Sequence, residues 1–161
     1  MMTIRSLPLA MLAGLMGQVA QAEDDTRNLA AMVAVSGTCT DLVIANETRP
    51  CGGTLINTIY DDGRVGFYFV VDDSDKSAVS FSGQGQQQKM PAEEIWIQSI
   101  DGIIVSTGAT AATGECRFGN PFGGATRIDC SAVSEAGDVF VGEFLTDGSE
   151  PHIVDLTRGS D

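Results

Sequence analysis

The sequence predicts an all-β domain, either a small antiparallel β-sandwich or a closed β-barrel, stabilised by disulfide bonds. Short apolar segments recur along the chain, separated by turn signals about every 8–12 residues, which is typical of both architectures. No segment has the apolar period of a long amphipathic helix. Glycine supplies 19 of the 161 residues, well above the usual ~7%, so we expect many tight turns.

Composition limits the classes of protein to which the chain can belong. The length fits a single domain, and a hydrophobic share of 43% argues against a disordered chain. The 22 acidic and 9 basic residues give a formal net charge of −13. Such an acidic chain is not expected to bind nucleic acid, because phosphate binding needs clusters of lysine and arginine.

Residues 1–22 have the pattern of a cleaved secretory signal peptide. Arg5 precedes a short apolar run over residues 7–19, and Ala20-Gln21-Ala22 follows as the cleavage site. The run is too short to cross a bilayer, and no later stretch is long and apolar enough to do so. Cleavage removes Arg5 and no acidic residue, which moves the formal charge from −13 to −14. We therefore expect a periplasmic or secreted bacterial protein.

The rest of the chain is divided into three parts. Residues 23–36 are predicted to be a mobile N-terminal segment, because they begin with an acidic stretch. Residues 37–157 are predicted to form the single β-domain, and residues 158–161 a tail.

The elements of the first half are defined by their turns. Residues 30–35 are predicted to be a strand or a helical turn, and residues 40–45 a short apolar segment. Residues 54–60 and 65–71 are rich in β-branched and aromatic side chains. They flank Asp61-Asp62-Gly63, a hairpin turn signal.

The middle of the chain contains a strand followed by a polar insert. After an acidic turn at residues 72–76, residues 78–82 alternate between apolar and serine side chains, as a half-buried strand does. Residues 83–94 are polar and show no periodicity, so we expect an irregular loop there.

The second half begins with a predicted hairpin. Asp101-Gly102 is the strongest short turn signal of the chain and separates the expected strands 95–100 and 103–107. The small residues of 107–114 are predicted to form a loop. The remaining expected strands are residues 115–118, 125–133 and 139–145, with a turn at 135–137, and residues 153–156 as a final edge strand.

Four cysteines in an exported domain predict two disulfide bonds. Each of the pairs Cys39–Cys51 and Cys116–Cys130 encloses a turn-like string, so each is expected to join two neighbouring strands. Structural zinc is the alternative. It is disfavoured because zinc sites use a shorter spacing between two cysteines than any found here.

The two halves also suggest an internal duplication. The first and third cysteines are 77 residues apart, and the second and fourth are 79 apart. The dipeptides Val65-Gly66 and Val141-Gly142 have an offset of 76. A nearly constant offset is typical of a repeat, so two pseudo-repeated β-units are one interpretation. Coincidence is the other, because these residue types are common in β-proteins.

No pattern of catalytic residues emerges, and we predict no catalytic residue, no metal site and no cofactor. His152 is the single histidine and lies in a polar tail, where a solvated surface role is expected. The acidic string at residues 72–75 lacks the glycine and closing glutamate of a calcium loop. Neighbouring carboxylates on a strand point to opposite faces, so sequence pairs do not form a catalytic dyad.

Two aromatic residues are the candidates for partner binding. Trp96 lies in an alternating run, either as an exposed anchor or as part of the core. Phe122 lies in Asn-Pro-Phe-Gly-Gly, between the cysteines of the second pair. It is either exposed on a stapled loop, where little ordering is needed on binding, or folded back over the domain.

Ser82-Gly83, placed after an alternating strand, is similar to the Ser-Gly motif of bacterial lysozyme inhibitors. That family places a tyrosine three residues later, whereas Gln86 stands there in this chain. The chain is therefore not assigned to the family, and the likeness is limited to one dipeptide.

These observations favour an exported, non-catalytic binding module that recognises a cationic protein or envelope component, as an inhibitor does. An acidic surface steers cationic partners, and salt weakens the attraction. The alternatives are a small β-barrel that carries an apolar small molecule and, with least support, a hydrolase.

Overall fold

The computed structural model describes residues 28–73, 77–84, 87–90 and 94–157, and in them it forms a closed antiparallel β-barrel of eight strands. The barrel alternative is thus the correct one of the two predicted architectures. The predicted signal peptide over residues 1–22 lies outside the described residues. Within the described part of the chain, no helix combines the length and the apolar character needed to cross a membrane.

Eleven strands are described in chain order. They are β1 (Leu29–Ile44), β2 (Glu47–Thr48), β3 (Cys51–Tyr60), β4 (Val65–Val71), β5 (Ala78–Gly83), β6 (Gln88–Met90), β7 (Ile95–Val105), β8 (Gly108–Phe118), β9 (Arg127–Ser134), β10 (Val139–Thr146) and β11 (His152–Asp155). A 3-10 helix (Pro121–Gly123) lies between β8 and β9.

The barrel wall runs in the order β1-β3-β4-β5-β7-β8-β9-β10 and returns to β1. The 16-residue strand β1 makes this closure possible. Its first half pairs with β3 on one side and with β11 on the other, whereas its second half pairs with β10. The short strands β2 and β6 pair with β1 and β7, respectively, outside the eight-stranded path.

Side chains that point into the barrel form one continuous core. Alternation is strict in β9, where every second residue from Ile128 to Ser134 is buried and those between are not. Five phenylalanines fill much of the interior, together with aliphatic residues from the seven wall strands other than β10; they are Phe67, Phe69, Phe81, Phe140 and Phe144. An eight-stranded barrel is just wide enough for side chains to fill it.

A glycine in β10 accommodates one of these rings. A Cβ atom built on Gly142 would lie 2.6 Å from the ring of Phe69, which reaches across the interior from β4. The core therefore depends on the missing side chain at this position, because close-packed interiors leave no room for an extra methyl group.

The hairpin predicted at Asp101-Gly102 is wrong. These residues lie inside the single strand β7, at a register irregularity opposite β8. Gly102 pairs with both Ser82 and Ala111, and Arg64 donates two hydrogen bonds to the Asp101 carboxylate. The chain reverses at residues 106–107 instead. Pairing on both sides of β7 thus overrides the local turn preference.

Three other segments also differ from the expectation. Most of the small residues of 107–114, expected in a loop, belong to β8, which begins at Gly108 and pairs with β7 and β9. Strand β1 begins at Leu29, so the β-domain includes part of the segment expected to be mobile, and the boundary at Gly37 is too late. The polar insert contains the three-residue strand β6.

Both predicted disulfide bonds are confirmed. Cys39–Cys51 joins β1 to β3 at the point where the two strands separate, and Cys116–Cys130 joins directly opposed residues of β8 and β9. Each therefore links neighbouring strands, as expected. The second bond is buried in the barrel, since Cys116 is 0% exposed.

The two Val-Gly pairs that suggested an internal duplication are not in equivalent positions in the barrel. Gly142 faces the interior, where it contacts Phe69. Gly66 faces the outer side, between Thr58 and Ser80 on the neighbouring strands. The two Val-Gly pairs thus have opposite orientations in the barrel wall.

We predict that the two disulfide bonds are reduced in a fixed order. Cys39 and Cys51 are only partly buried, whereas a thiolate must pass into the core to reach Cys116 and Cys130. Graded dithiothreitol, followed by alkylation and mass spectrometry, should label Cys39 and Cys51 first. Loss of that bond should lower the free energy of unfolding by about 3 kcal/mol. Earlier labelling of the buried pair would contradict the assignment of burial.

We also predict that Gly142→Ala lowers the free energy of unfolding by about 2 kcal/mol, because the new methyl group collides with Phe69. The matched control is Gly102→Ala, where the nearest heavy atom to the new Cβ is 3.7 Å away. Urea denaturation should show little change for this control, within about 0.5 kcal/mol. Equal effects of the two substitutions would mean that Phe69 does not pack on β10.

Candidate functional site

The candidate site is a groove of about 620 Å³ at the end of the barrel where β7 begins and β8 ends. Its wall contains Trp96 and Phe118, and its rim contains Lys89, Arg117 and Arg127. The connection over residues 119–126 closes one side. We call this site the end groove.

The aromatic wall continues the core to the mouth of the barrel. Trp96 is the register partner of Phe118, and Phe118 is the partner of the buried Ile128, so all three face inward. The Trp96 and Phe118 rings are nearly parallel, with centroids 6.3 Å apart, and Phe118 lies 5.2 Å from Phe67. The core therefore fixes the orientation of the Trp96 ring.

A cation already lies on this aromatic wall. Lys89 is paired with Trp96 across β6 and β7, and its Nζ atom is 5.0 Å from the centroid of the Trp96 ring. An ammonium group is attracted to the negative face of an indole ring at this distance. The end groove thus has the geometry of a cation–π site.

The two arginines of the rim are paired with carboxylates. Arg127 lies 3.2 Å from Asp129 and 3.3 Å from Glu143, and Arg117 lies 3.9 Å from Glu115. The hydrogen bond and the charge of Asp129 raise the pKa of the Arg127 guanidinium above its usual value. These two arginines and three carboxylates have a formal charge of −1, and Lys89 on the same rim brings the sum to zero.

The connection between β8 and β9 is held by local hydrogen bonds. Asn120 caps the 3-10 helix, because its side-chain oxygen accepts a hydrogen bond from the Phe122 amide at 3.1 Å. The Thr126 amide donates to the Thr146 hydroxyl at 2.8 Å, which ties the connection to β10. Phe122 is 55% exposed on this ordered loop.

The structure places the two predicted partner-binding residues at the same end of the barrel. Trp96 lines the end groove while also packing on Phe118, so it serves the core and the surface together. Phe122 does not fold back over the domain, and its neighbours Asn120 and Gly123 line the groove.

Sequence reasoning missed Lys89, Arg117 and Phe118. Phe118 could have been found from its register with Trp96, had the length of β8 been predicted correctly. The outward orientation of Arg117 could have been found in the same way, because it precedes the inward-facing Phe118 on β8. Lys89 had no signal, because the insert around it shows no periodicity.

The other residues considered for chemistry are placed apart from the groove. His152 is exposed on β11, and Asp73 lies 2.8 Å from Arg49. Ser82, from the dipeptide similar to that of lysozyme inhibitors, is buried and accepts a hydrogen bond from Arg64. Among the described residues, no group of three or more His, Cys, Asp or Glu is arranged to hold a metal ion.

The opposite end of the barrel is acidic. Its described turns carry five carboxylates and one arginine, namely Glu47, Asp72, Asp73, Glu135, Asp138 and Arg49. Asn46 bonds the Asp138 side chain at 3.0 Å and the Val139 amide at 3.0 Å, so two of these turns are held together. We call this region the acidic end. It contributes to the field around the molecule but has no comparable aromatic wall among its described residues.

Comparison of the chain with protein-family models, with curated proteins and with solved structures finds no match.

Proposed function

We propose that this chain is a non-catalytic binding module that recognises a cationic protein partner through the end groove. The observation that carries the proposal is the position of Lys89 on Trp96, because it identifies a surface that accepts a positive side chain. The partner is proposed to bind with its basic surface on the groove and on the exposed ring of Phe122.

The net charge of the whole chain favours a cationic over an anionic ligand. In the groove itself the two signs are nearly balanced, since three basic and two acidic side chains line it, and Glu115 and Glu143 pair with its arginines from outside the lining. The whole chain has a formal charge of −13. A distant anion is repelled by this field and a cation is attracted, over roughly 10 Å at moderate salt.

The chemistry of the rim supports the binding of a polar ligand. Arg117 and Arg127 present planar guanidinium groups, which donate several hydrogen bonds in a fixed geometry. A cluster of this kind orients a polar ligand through complementary charges.

The interior of the barrel supports a surface site rather than a carrier. Phe69 and Phe81 meet edge to face at 5.6 Å inside the barrel, and both are almost completely buried. These rings occupy the space in which a carried molecule would lie. Binding is therefore proposed at the end of the barrel.

The proposed location is the periplasm or the exterior of a bacterial cell. The two disulfide bonds fit an oxidising compartment. The pattern of residues 1–22 supports export.

We predict that the oxidised chain binds a basic lysozyme at low salt (~0.02 M) at least about tenfold more tightly than at ~0.5 M, because salt screens the attraction. Succinylated lysozyme, whose charge is reversed, should not bind.

Phe122→Ala should weaken the binding of lysozyme about fivefold or more, because exposed aromatic rings are frequent hot spots of binding. Calorimetry of each pair gives these affinities.

The matched control is Ile153→Ala, since Ile153 is an apolar residue of similar exposure, 53%, on β11. It should leave the affinity unchanged. Equal binding of the native and the succinylated probe, or binding that does not respond to salt, would overturn the proposal of a cationic partner.

A further inference from the structure

Lys89 lies at the surface on a short strand, with its charge on the Trp96 ring. It is exposed and lies in the middle of β6, a strand of three residues that pairs with β7. Within the described residues, Lys89 makes no ion pair, and its contact with Trp96 is the interaction that positions its charge. A contact of this kind at an exposed site changes an equilibrium by about two- to fivefold.

We propose that Lys89 is an internal competitor, which occupies the place on Trp96 that an arginine side chain of the partner takes in the complex. This inference rests on the proposed function and names the group that the end groove recognises. The partner's guanidinium displaces the Lys89 ammonium and stacks on the indole ring.

The Trp96 ring is preorganised for a stacking ligand, because its orientation is already fixed by packing in the free chain. Phe118 lies nearly parallel to it, at an interplanar angle of 18°, and the buried Phe67 supports Phe118 in turn. A ring fixed in this way loses little side-chain entropy when a ligand stacks on it. The wall therefore favours a flat cation over a flexible apolar chain.

Arginine fits this place better than lysine does. Its guanidinium is planar, more weakly hydrated than an ammonium group, and able to stack on an aromatic face while donating hydrogen bonds at its edge. Glu94 and Asp129 line the same groove and supply carboxylate acceptors. An arginine of the partner can thus contact both the aromatic wall and the carboxylates of the groove.

The chain provides its own probe of this site, because Trp96 is its only tryptophan. The ligand for the test is a synthetic peptide with one arginine between glycine and serine residues. The same peptide with citrulline, the uncharged isostere of arginine, tests whether the charge is needed. A version with lysine tests the preference for a planar cation. Emission of Trp96 and calorimetry are recorded for every pair.

Two variants separate competition from a general change of charge. Lys89→Gln removes the competitor, whereas Arg49→Gln at the acidic end changes the net charge by the same amount and leaves Trp96 covered. Both residues are at the surface, and the melting temperature of each variant shows that it folds. We expect Lys89→Gln to bind the arginine peptide about two- to fivefold more tightly than the unmodified chain, and Arg49→Gln to change affinity less than this.

The outcomes distinguish this inference from the proposed function. Unchanged or weaker binding of the arginine peptide by Lys89→Gln overturns the competition, as does equal binding of the citrulline peptide. The competition is also overturned if neither the unmodified chain nor the Lys89→Gln variant binds the arginine peptide. In all these cases the salt-sensitive binding of basic lysozyme still decides, by itself, whether the chain recognises a cationic protein.

Discussion

Closure of the barrel by β1 is the constraint on which the rest of the structure depends. Because Leu29–Ile44 is long enough to pair with β3 in its first half and β10 in its second, the sheet has no open seam along the eight-stranded wall. Closure turns every second side chain of each strand toward one shared core and removes the exposed edges that short strands otherwise present. The Cys39–Cys51 bond lies just beyond the last β1–β3 register pair, Ser36 with Thr54, and so links the two strands where their main-chain pairing ends.

Because side chains fill the interior, the candidate binding surfaces lie at the ends of the barrel. At one end, the inward row that includes Ile128 and Phe118 continues to Trp96, which reaches the surface because β7 and β8 extend past the neighbouring strand β5. The same ring therefore stabilises the fold and forms the wall of the end groove. Both arginines beside this wall are paired with carboxylates, while the excess of acidic residues in the whole chain gives the molecule a negative field.

Sequence patterns predicted the parts of the fold that follow from local rules. Strands with strict alternation, such as β9 and β10, and the two disulfide pairs could be derived from residue type and spacing. The path of β7 and β8 could not, because Asp101-Gly102 has turn preference and the small residues after it have little strand preference. Both segments are strands because they pair with neighbouring strands, including ones distant in sequence. For the end groove, Trp96 and Phe122 were accessible from residue type, whereas the placement of Lys89 depends on a contact between β6 and β7.

The central claim is that a cationic partner binds at the end groove and not at the acidic end. Backbone amide NMR of the isotope-labelled, oxidised chain during titration with basic lysozyme tests this claim directly, because each end reports through its own residues. The account predicts that shift changes concentrate at Lys89, Trp96 and the connection over residues 119–126. Changes concentrated at Glu47, Glu135 and Asp138, with the groove unaffected, would contradict it.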